Sequence, residues 1–432
     1  MSRAAVIGLA RSGRSAALLL ARRGWDVTAI DASPVDADEL VEAGIRVRAP
    51  FDGEAGEVDL VVKSPGVPGG ATPVAAAKAA GIPVWSEVEL AARELPNPLI
   101  CITGTNGKTT TTELTAHLLR ESGVAATACG NQGTPLTGLV DHVDPSEWLV
   151  VECSSFQLED VHDLHPRAAA LLNISPDHLD RHGTFAAYRE AKLRLFARMG
   201  PGDLAICPQG TRVPGNSLPT FVVDGPVQDG AIAWSEGGLQ VAGMGLVAEW
   251  GAVSLRGRHN RCNAMVATVL AARAGATPAG LARGLAGFPG VAHRLERVAE
   301  RAAVVYVNDS KATNPDAAAA ALDAYDRGVH LIAGGSGKGT SFAPLADAAQ
   351  GAVVRAYLIG ESAAAIGEAL DGARVPNERS GDLATAVRAA AAAARPGECV
   401  LLAPACASFD QFRDYEQRGE VFRAAVADLG PA

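Results

Sequence analysis

Residues 99–123 leave little choice of local fold. Leu99-Ile100-Cys101-Ile102 is a short apolar run after Pro96 and Pro98, the length and character of a buried parallel strand. It leads into Thr103-Gly104-Thr105-Asn106-Gly107-Lys108-Thr109-Thr110, after which a helical pattern runs to Arg120 and stops at Gly123. A strand feeding a glycine-hinged turn into a helix is half of a βαβ unit, and such units assemble into α/β sheets. The turn has a chemistry of its own. Gly104 and Gly107 let backbone N–H groups turn inward around phosphate oxygens at a helix N-terminus. Lys108 adds a point charge, and the Thr109 hydroxyl suits Mg²⁺. The usual phosphate-loop pattern would carry glycine at 102, where Ile102 stands, so this is a shorter variant. A nucleotide polyphosphate is the expected ligand; a plain turn with an exposed lysine is the alternative.

The same alternation recurs on both sides. Ala4 to Ile7 reads as a strand, Gly8-Leu9-Ala10-Arg11-Ser12-Gly13 opens a helix ending at Gly24, and a strand from Trp25 to Ile30 ends at Asp31. This is a dinucleotide-type βαβ unit with alanine at the middle glycine, so a nicotinamide domain is a second reading. Val58 to Lys63 is a further strand running into Ser64-Pro65-Gly66. Beyond the phosphate loop, Trp148 to Val151 leads to Glu152, and Ala168 to Asn173 leads to Ile174-Ser175-Pro176-Asp177-His178. A helix from about Thr184 to Met199 carries Lys192, 201–255 reads as short strands, and an alanine-rich helix follows Asn260. From Val291 on, strands at Val304–Val307, Val329–Ala333, Val353–Ile359 and Cys399–Ala403 imply another doubly wound sheet. Three α/β domains follow: a Rossmann-like one over 1–91, a phosphate-loop one over 92–291 and a second Rossmann-like one over 292–432.

Composition narrows the function. A net charge of −10 argues against nucleic acid as main partner. Seven scattered cysteines without a CxxC pair fit buried thiols in a reducing cytoplasm, and no 18-residue apolar run exists to span a membrane. Only six of the 38 basic side chains are lysine: Lys63, Lys78, Lys108, Lys192, Lys311 and Lys338. A lysine kept against that bias needs a compact ammonium or a titratable amine. Lys63 and Lys78 suggest no role, and the surface is their default place. Taken alone, Lys192 reads as a snorkelling surface residue, His178 as a structural one, and Glu152 as a Mg²⁺ carboxylate or a salt-bridged glutamate.

Taken together the motifs are more specific. TGTNGKTT at 103–110, GN at 130–131, ECSSFQLE at 152–159, NISPDHLDRHG at 173–183, REAKLRLF at 189–196, GRHNRCNA at 257–264, HRLE at 293–296, DSKATN at 309–314 and GGSGKG at 334–339 occur in one order along the chain. The chain resembles the Mur ligase family, ATP-dependent amide-forming enzymes of peptidoglycan precursor synthesis, over nearly its whole length. SSFQLE, NDSKATNP and APACASFDQF are most similar to the member that adds D-glutamate to UDP-N-acetylmuramoyl-L-alanine.

The resemblance implies a role for each position. Gly104, Thr105, Asn106, Gly107, Lys108, Thr109 and Thr110 would cradle the ATP phosphates, with Asn260, Asn263, Arg294 and Asp309 on the rest of ATP. Thr109, Glu152, His178 and Lys192 would serve two Mg²⁺ ions, Lys192 as a CO₂-derived carbamate. Lys108, Glu152, His178 and Lys192 would thereby be the catalytic set. The UDP substrate would meet Arg11, Ser12, Asp31, Ala32, Ser64, Gly66, Asn131, Gln157 and His178. Lys311, Thr313, Lys338, Ser408 and Tyr415 would form the glutamate pocket, Tyr415 standing where phenylalanine is usual. A cytoplasmic monomer whose third domain closes during turnover is also implied. Other amide ligases of this fold, such as folylpolyglutamate synthases, begin near their phosphate loop, whereas about 91 residues precede it here. A nicotinamide dehydrogenase and an ATP-binding module without chemistry are the readings from other classes.

Overall fold

A computed structural model describes residues 2–430 except Asp52, Asn216, Arg256 and Lys338, so the expectation for Lys338 lies outside the described residues. The chain divides into two compact units. One comprises Met1–Ile174, Ala186–Trp250 and Ala264–Leu285; the other comprises Ser175–Phe185, Gly251–Asn263 and Ala286–Ala432.

The first unit carries two sheets. One has five parallel strands, in the spatial order Arg46–Arg48, Asp26–Ile30, Arg3–Ile7, Leu60–Lys63, Val84–Ser86. The chain reverses its direction of winding between Arg3–Ile7 and Leu60–Lys63, the crevice where open α/β sheets bind ligands. The other sheet runs Gly245–Ala248, Leu239–Val241, Ala231–Trp234, Pro219–Val223, Leu204–Ile206, Ala168–Leu171, Leu99–Thr103, Trp148–Glu152, Ala126–Gly130. It is parallel except for its first two strands, which are joined antiparallel at the edge. Ala126–Gly130 is a strand that the sequence reading passed over. Glu152 therefore does not end the next strand in the chain after the loop-bearing one, but it does end the next strand in space, with Ile102 paired to Glu152. In this sheet the chain visits the edge strand Ala126–Gly130 before it returns to place Trp148–Glu152 beside Leu99–Thr103, so chain order and spatial order part here.

The two sheets share one apolar core, in which Leu19, Leu40 and Val62 join Leu136, Leu149 and Leu171. Two buried carboxylates at the start of the Glu87–Glu94 helix fasten them further. Glu89 accepts the backbone N–H groups of His162, Asp163 and Leu164 at 2.9–3.1 Å. Glu87 accepts the N–H and hydroxyl of Thr137 at 2.6 and 2.8 Å, and burial pushes its carboxyl up to about 7.

Lys63 corrects the surface expectation, whereas Lys78 meets it. Lys63 is 1% exposed, with its ammonium 3.1 Å from Glu159 and 3.2 Å from Asp160. Lys78 is half-exposed and pairs with the other oxygen of Asp160 at 2.8 Å. Lys192 is no snorkelling residue either, being 2% exposed. No local pattern marks Lys63 and Lys192 as buried, because their partners lie in distant segments.

The second unit holds a six-stranded sheet in the order Glu296–Arg301, Val304–Asn308, Cys399–Leu402, Val329–Gly334, Val353–Ile359, Asn377–Gly381, antiparallel only at its first pair. Alternate residues of its central strands enter opposite cores: Leu331, Ala333, Leu401 and Ala403 on one face, Ile332, Val400 and Leu402 on the other. Continuous apolar runs are what a sheet covered on both faces demands.

Candidate active site

The phosphate loop leaves the Leu99–Thr103 strand and enters the Lys108–Glu121 helix through Gly107, whose φ of 86° lies in the left-handed region that glycine adopts without strain. No side chain caps that helix, which leaves its first amides for a ligand. Asn173 braces the loop by accepting the Asn106 N–H at 2.9 Å and donating to the Asn106 carbonyl at 3.0 Å. Tyr188 meets the Thr105 hydroxyl at 3.0 Å. Neither Asn173 nor Tyr188 was singled out from sequence, although Asn173 opens the NISPDH motif.

Behind the loop stands Glu152, 2% exposed. One of its oxygens accepts the Thr109 hydroxyl at 2.7 Å, and the other accepts the Asn131 amide at 3.0 Å. Gly130 makes this approach possible, since a β-carbon there would sit 2.4 Å from the Glu152 carbonyl oxygen, and its φ is 107°. Lys108 and Lys192 both donate to the carbonyl of Gly104, at 2.9 and 2.8 Å. Two ammonium groups sharing one acceptor are close neighbours in a buried place, a setting that favours an anion between them.

No three His, Cys, Asp or Glu side chains converge among the described residues. Mg²⁺ keeps several waters and takes one or two carboxylates together with substrate phosphates. Thr109 and Glu152 supply the hard oxygen donors of that pattern. His178 falls in the second unit, with φ 52°; its N–H donates to its neighbour Asp177 at 2.9 Å. Asp177 is buried, and Asn314 donates to it at 3.4 Å.

Seven of the nine residues expected for the UDP substrate, all but Gln157 and His178, line one cavity of about 630 Å³: Arg11, Ser12, Asp31, Ala32, Ser64, Gly66 and Asn131. Phe51, not foreseen, lines it too, with the Arg48 guanidinium 3.7 Å from its ring centre. The Arg11–Arg22 helix starts here without a side-chain cap. Asp31 accepts the N–H groups of Leu9 and Ser33 at 2.7 and 2.9 Å, and Ser64 donates to the Gly8 carbonyl at 2.7 Å. Both Asp31 oxygens are thus engaged in holding the turn. Gln157, wholly buried, caps the Ser155–Leu158 helix through its side-chain oxygen, and its amide nitrogen has no partner among the described residues.

In the second unit, three motifs that lie far apart in sequence meet at the strand ends. Backbone bonds run from Asp309 to Leu402 (2.8 Å), from Ala405 to Ala312 (2.9 Å), from Gly334 to Pro404 (2.8 Å), and both ways between Ser336 and Ala407. DSKATN, GGSG and APACAS thereby form one platform that contains Lys311, Thr313 and Ser408. The Lys311 ammonium lies 5.2 Å from the Tyr415 ring centre, and Tyr415 begins the Tyr415–Ala427 helix. Asp309 is buried, which pushes its carboxyl up to about 6 against the opposing pull of Arg294 and Lys311. Asn260 and Asn263, both buried, pair with one another at 3.1 Å. Next to them in sequence, His259 is driven down to about 4 by burial and by Arg294.

Comparison with known proteins defines the class. Residues 102–271 match the Mur ligase middle domain, and residues 293–406 match the Mur ligase glutamate ligase domain. The chain belongs to the Mur ligase family and has its three-domain α/β architecture. It is 43% identical to UDP-N-acetylmuramoylalanine--D-glutamate ligase of Myxococcus xanthus over 98% of each chain. It is 45% identical to the protein of the same name from Anaeromyxobacter dehalogenans, over 99% of this chain and 98% of that protein. Among solved structures, the UDP-N-acetylmuramate-alanine ligase of Thermotoga maritima has the same fold, with a TM-score of 0.62 and 19% identity over 99% of this chain and all of that one.

Proposed function

We propose that this chain is an ATP-dependent ligase joining D-glutamate to UDP-N-acetylmuramoyl-L-alanine, in cytoplasmic peptidoglycan precursor synthesis. The observation that carries the chemistry is the Thr109 hydroxyl against the Glu152 carboxylate at the head of an uncapped phosphate-loop helix. The full-length relatives named for this reaction support the substrates. The alanyl carboxylate of the UDP substrate attacks the γ-phosphorus of ATP and ADP leaves. The glutamate nitrogen then attacks the acyl phosphate carbonyl, loses a proton, and inorganic phosphate departs.

Lys108 and the loop amides hold the phosphates, and Thr109 and Glu152 bind Mg²⁺, which screens the phosphate charge when bound. Lys192 as a carbamate would replace repulsion from Lys108 by attraction, and would explain a buried lysine where this chain otherwise uses arginine. His178 completes the metal set. The unpartnered Gln157 amide and the 630 Å³ cavity suit the UDP substrate. Asn260, Asn263, Arg294 and Asp309 take the remainder of ATP. Lys311, Thr313, Lys338, Ser408 and Tyr415 take the glutamate, with two ammonium groups for its two carboxylates. We assign domain boundaries at 91/92 and 291/292 and a monomeric state. No helix among the described residues is long and apolar enough to cross a membrane.

The test is ADP release from ATP, Mg²⁺ and UDP-N-acetylmuramoyl-L-alanine with D-glutamate, L-glutamate or neither. ADP that requires D-glutamate, with a product heavier by one glutamyl unit, is expected. Turnover with L-glutamate alone would overturn the stereochemistry, and no ADP under any condition would overturn the ligase.

A further inference from the structure

Arg418 is the largest fully buried side chain of the described residues and lies outside every motif used above. It sits in the first turn of the Tyr415–Ala427 helix. Its Nε donates to the Ser310 hydroxyl at 3.0 Å, and its terminal nitrogens donate to the carbonyls of Ser310 (2.8 Å), Cys406 (3.1 Å) and Ala407 (3.3 Å). A β-carbon on Gly335 would lie 3.2 Å from the same guanidinium. One side chain therefore touches DSKATN, APACAS and GGSG at once. The Ser310 hydroxyl passes the link on by donating to the Tyr415 carbonyl at 2.8 Å. No described carboxylate pairs with Arg418, and burial lowers its guanidinium to about 10. A buried cation without an ion-pair partner is unfavourable unless several dipoles replace its lost water. Here those dipoles are the loop carbonyls themselves, arranged by the planar fork that only arginine offers.

We propose that Arg418 is a positioning residue that sets the spacing of Lys311, Ser408 and the 334–337 loop for the acceptor amino acid. This rests on the glutamate-pocket reading.

The variants are Arg418→Lys, which keeps charge without the fork, and Ser310→Ala, which removes one hydroxyl and leaves the guanidinium. The first readout needs no activity: hydrogen exchange of 309–314, 334–337 and 403–408 in the full chain. Loss of protection in all three loops together is expected in Arg418→Lys, and a smaller loss in Ser310→Ala. Unchanged exchange, or loss confined to 415–427, would overturn the brace. The second readout is steady-state kinetics. A KM for D-glutamate raised tenfold or more, with the KM values for ATP and the UDP substrate within twofold of wild type, is expected for Arg418→Lys. A parallel rise of all three KM values, or a fall of kcat alone, would overturn the assignment to the acceptor site. If Arg418→Lys fails to fold, Ser310→Ala decides by the same two readouts. A wild-type chain that turns over no D-glutamate refutes the ligase reading, while the exchange experiment still judges the brace.

Discussion

Replacing Lys63 by methionine should destabilise the first unit while leaving the second intact. Methionine keeps the apolar stem volume and removes the ammonium. The Lys63 side chain is wholly buried between two acidic partners and also lies within 3.5 Å of the Val67 and Phe156 carbonyls. Asp160, 3% exposed, would be left with half-exposed Lys78 alone. Breaking a buried pair from one side costs about 3–5 kcal/mol, and the surviving Lys78 contact places this case near 3. For a unit of this size that is a fall in Tm of roughly 6–12 °C. All five tryptophans, Trp25, Trp85, Trp148, Trp234 and Trp250, belong to the first unit, so tryptophan fluorescence follows its unfolding alone. Adding Asp160→Asn should restore part of the loss, because the stranded charge is removed with its partner. A loss under ~1 kcal/mol, or a double variant as unstable as the two losses added, would refute the account.

Thr109→Val should keep the fold and lower kcat/KM for ATP about 10²-fold, read in the ADP-release assay. Lys192→Arg should lose activity by a similar ~10² or more, and ¹³C-bicarbonate should label a carbamate carbon in the wild type that the variant lacks. Full activity of Lys192→Arg would exclude the carbamate. Glu87 is pushed up to about 7 in the folded chain from 4.5, so between pH 5 and 7 the folded state holds the extra proton and stability falls as pH rises. Glu87→Gln removes that slope, and its stability relative to wild type should grow by roughly 3 kcal/mol from pH 5 to pH 8, followed by denaturant unfolding at each pH. Parallel curves would show that Glu87 titrates normally.

The phosphate loop, the turn at Gly8–Gly13 and the three polar strand-end loops were legible in the chain because each is a local signal. Glycine placement, a short apolar run before it and a helical period after it act within a dozen residues. Arg11, Ser12, Asp31, Ala32, Ser64 and Gly66 were gathered into one cavity by the parallel pairing of Arg3–Ile7 with both Asp26–Ile30 and Leu60–Lys63, and Asn131 joins them from the end of the Ala126–Gly130 strand of the other sheet.

What lay beyond the sequence was the choice of partner across sheet order. Lys63 sits 96 residues from Glu159, and Arg418 sits 108 from Ser310. Glu152 reaches Thr109 across 43 residues only because a strand absent from the sequence reading, Ala126–Gly130, occupies the edge and leaves Glu152 beside the loop. Local pattern states what a loop can bind. Which buried charges hold that loop depends on distances in space, and those are set when the sheets order their strands and close their cores.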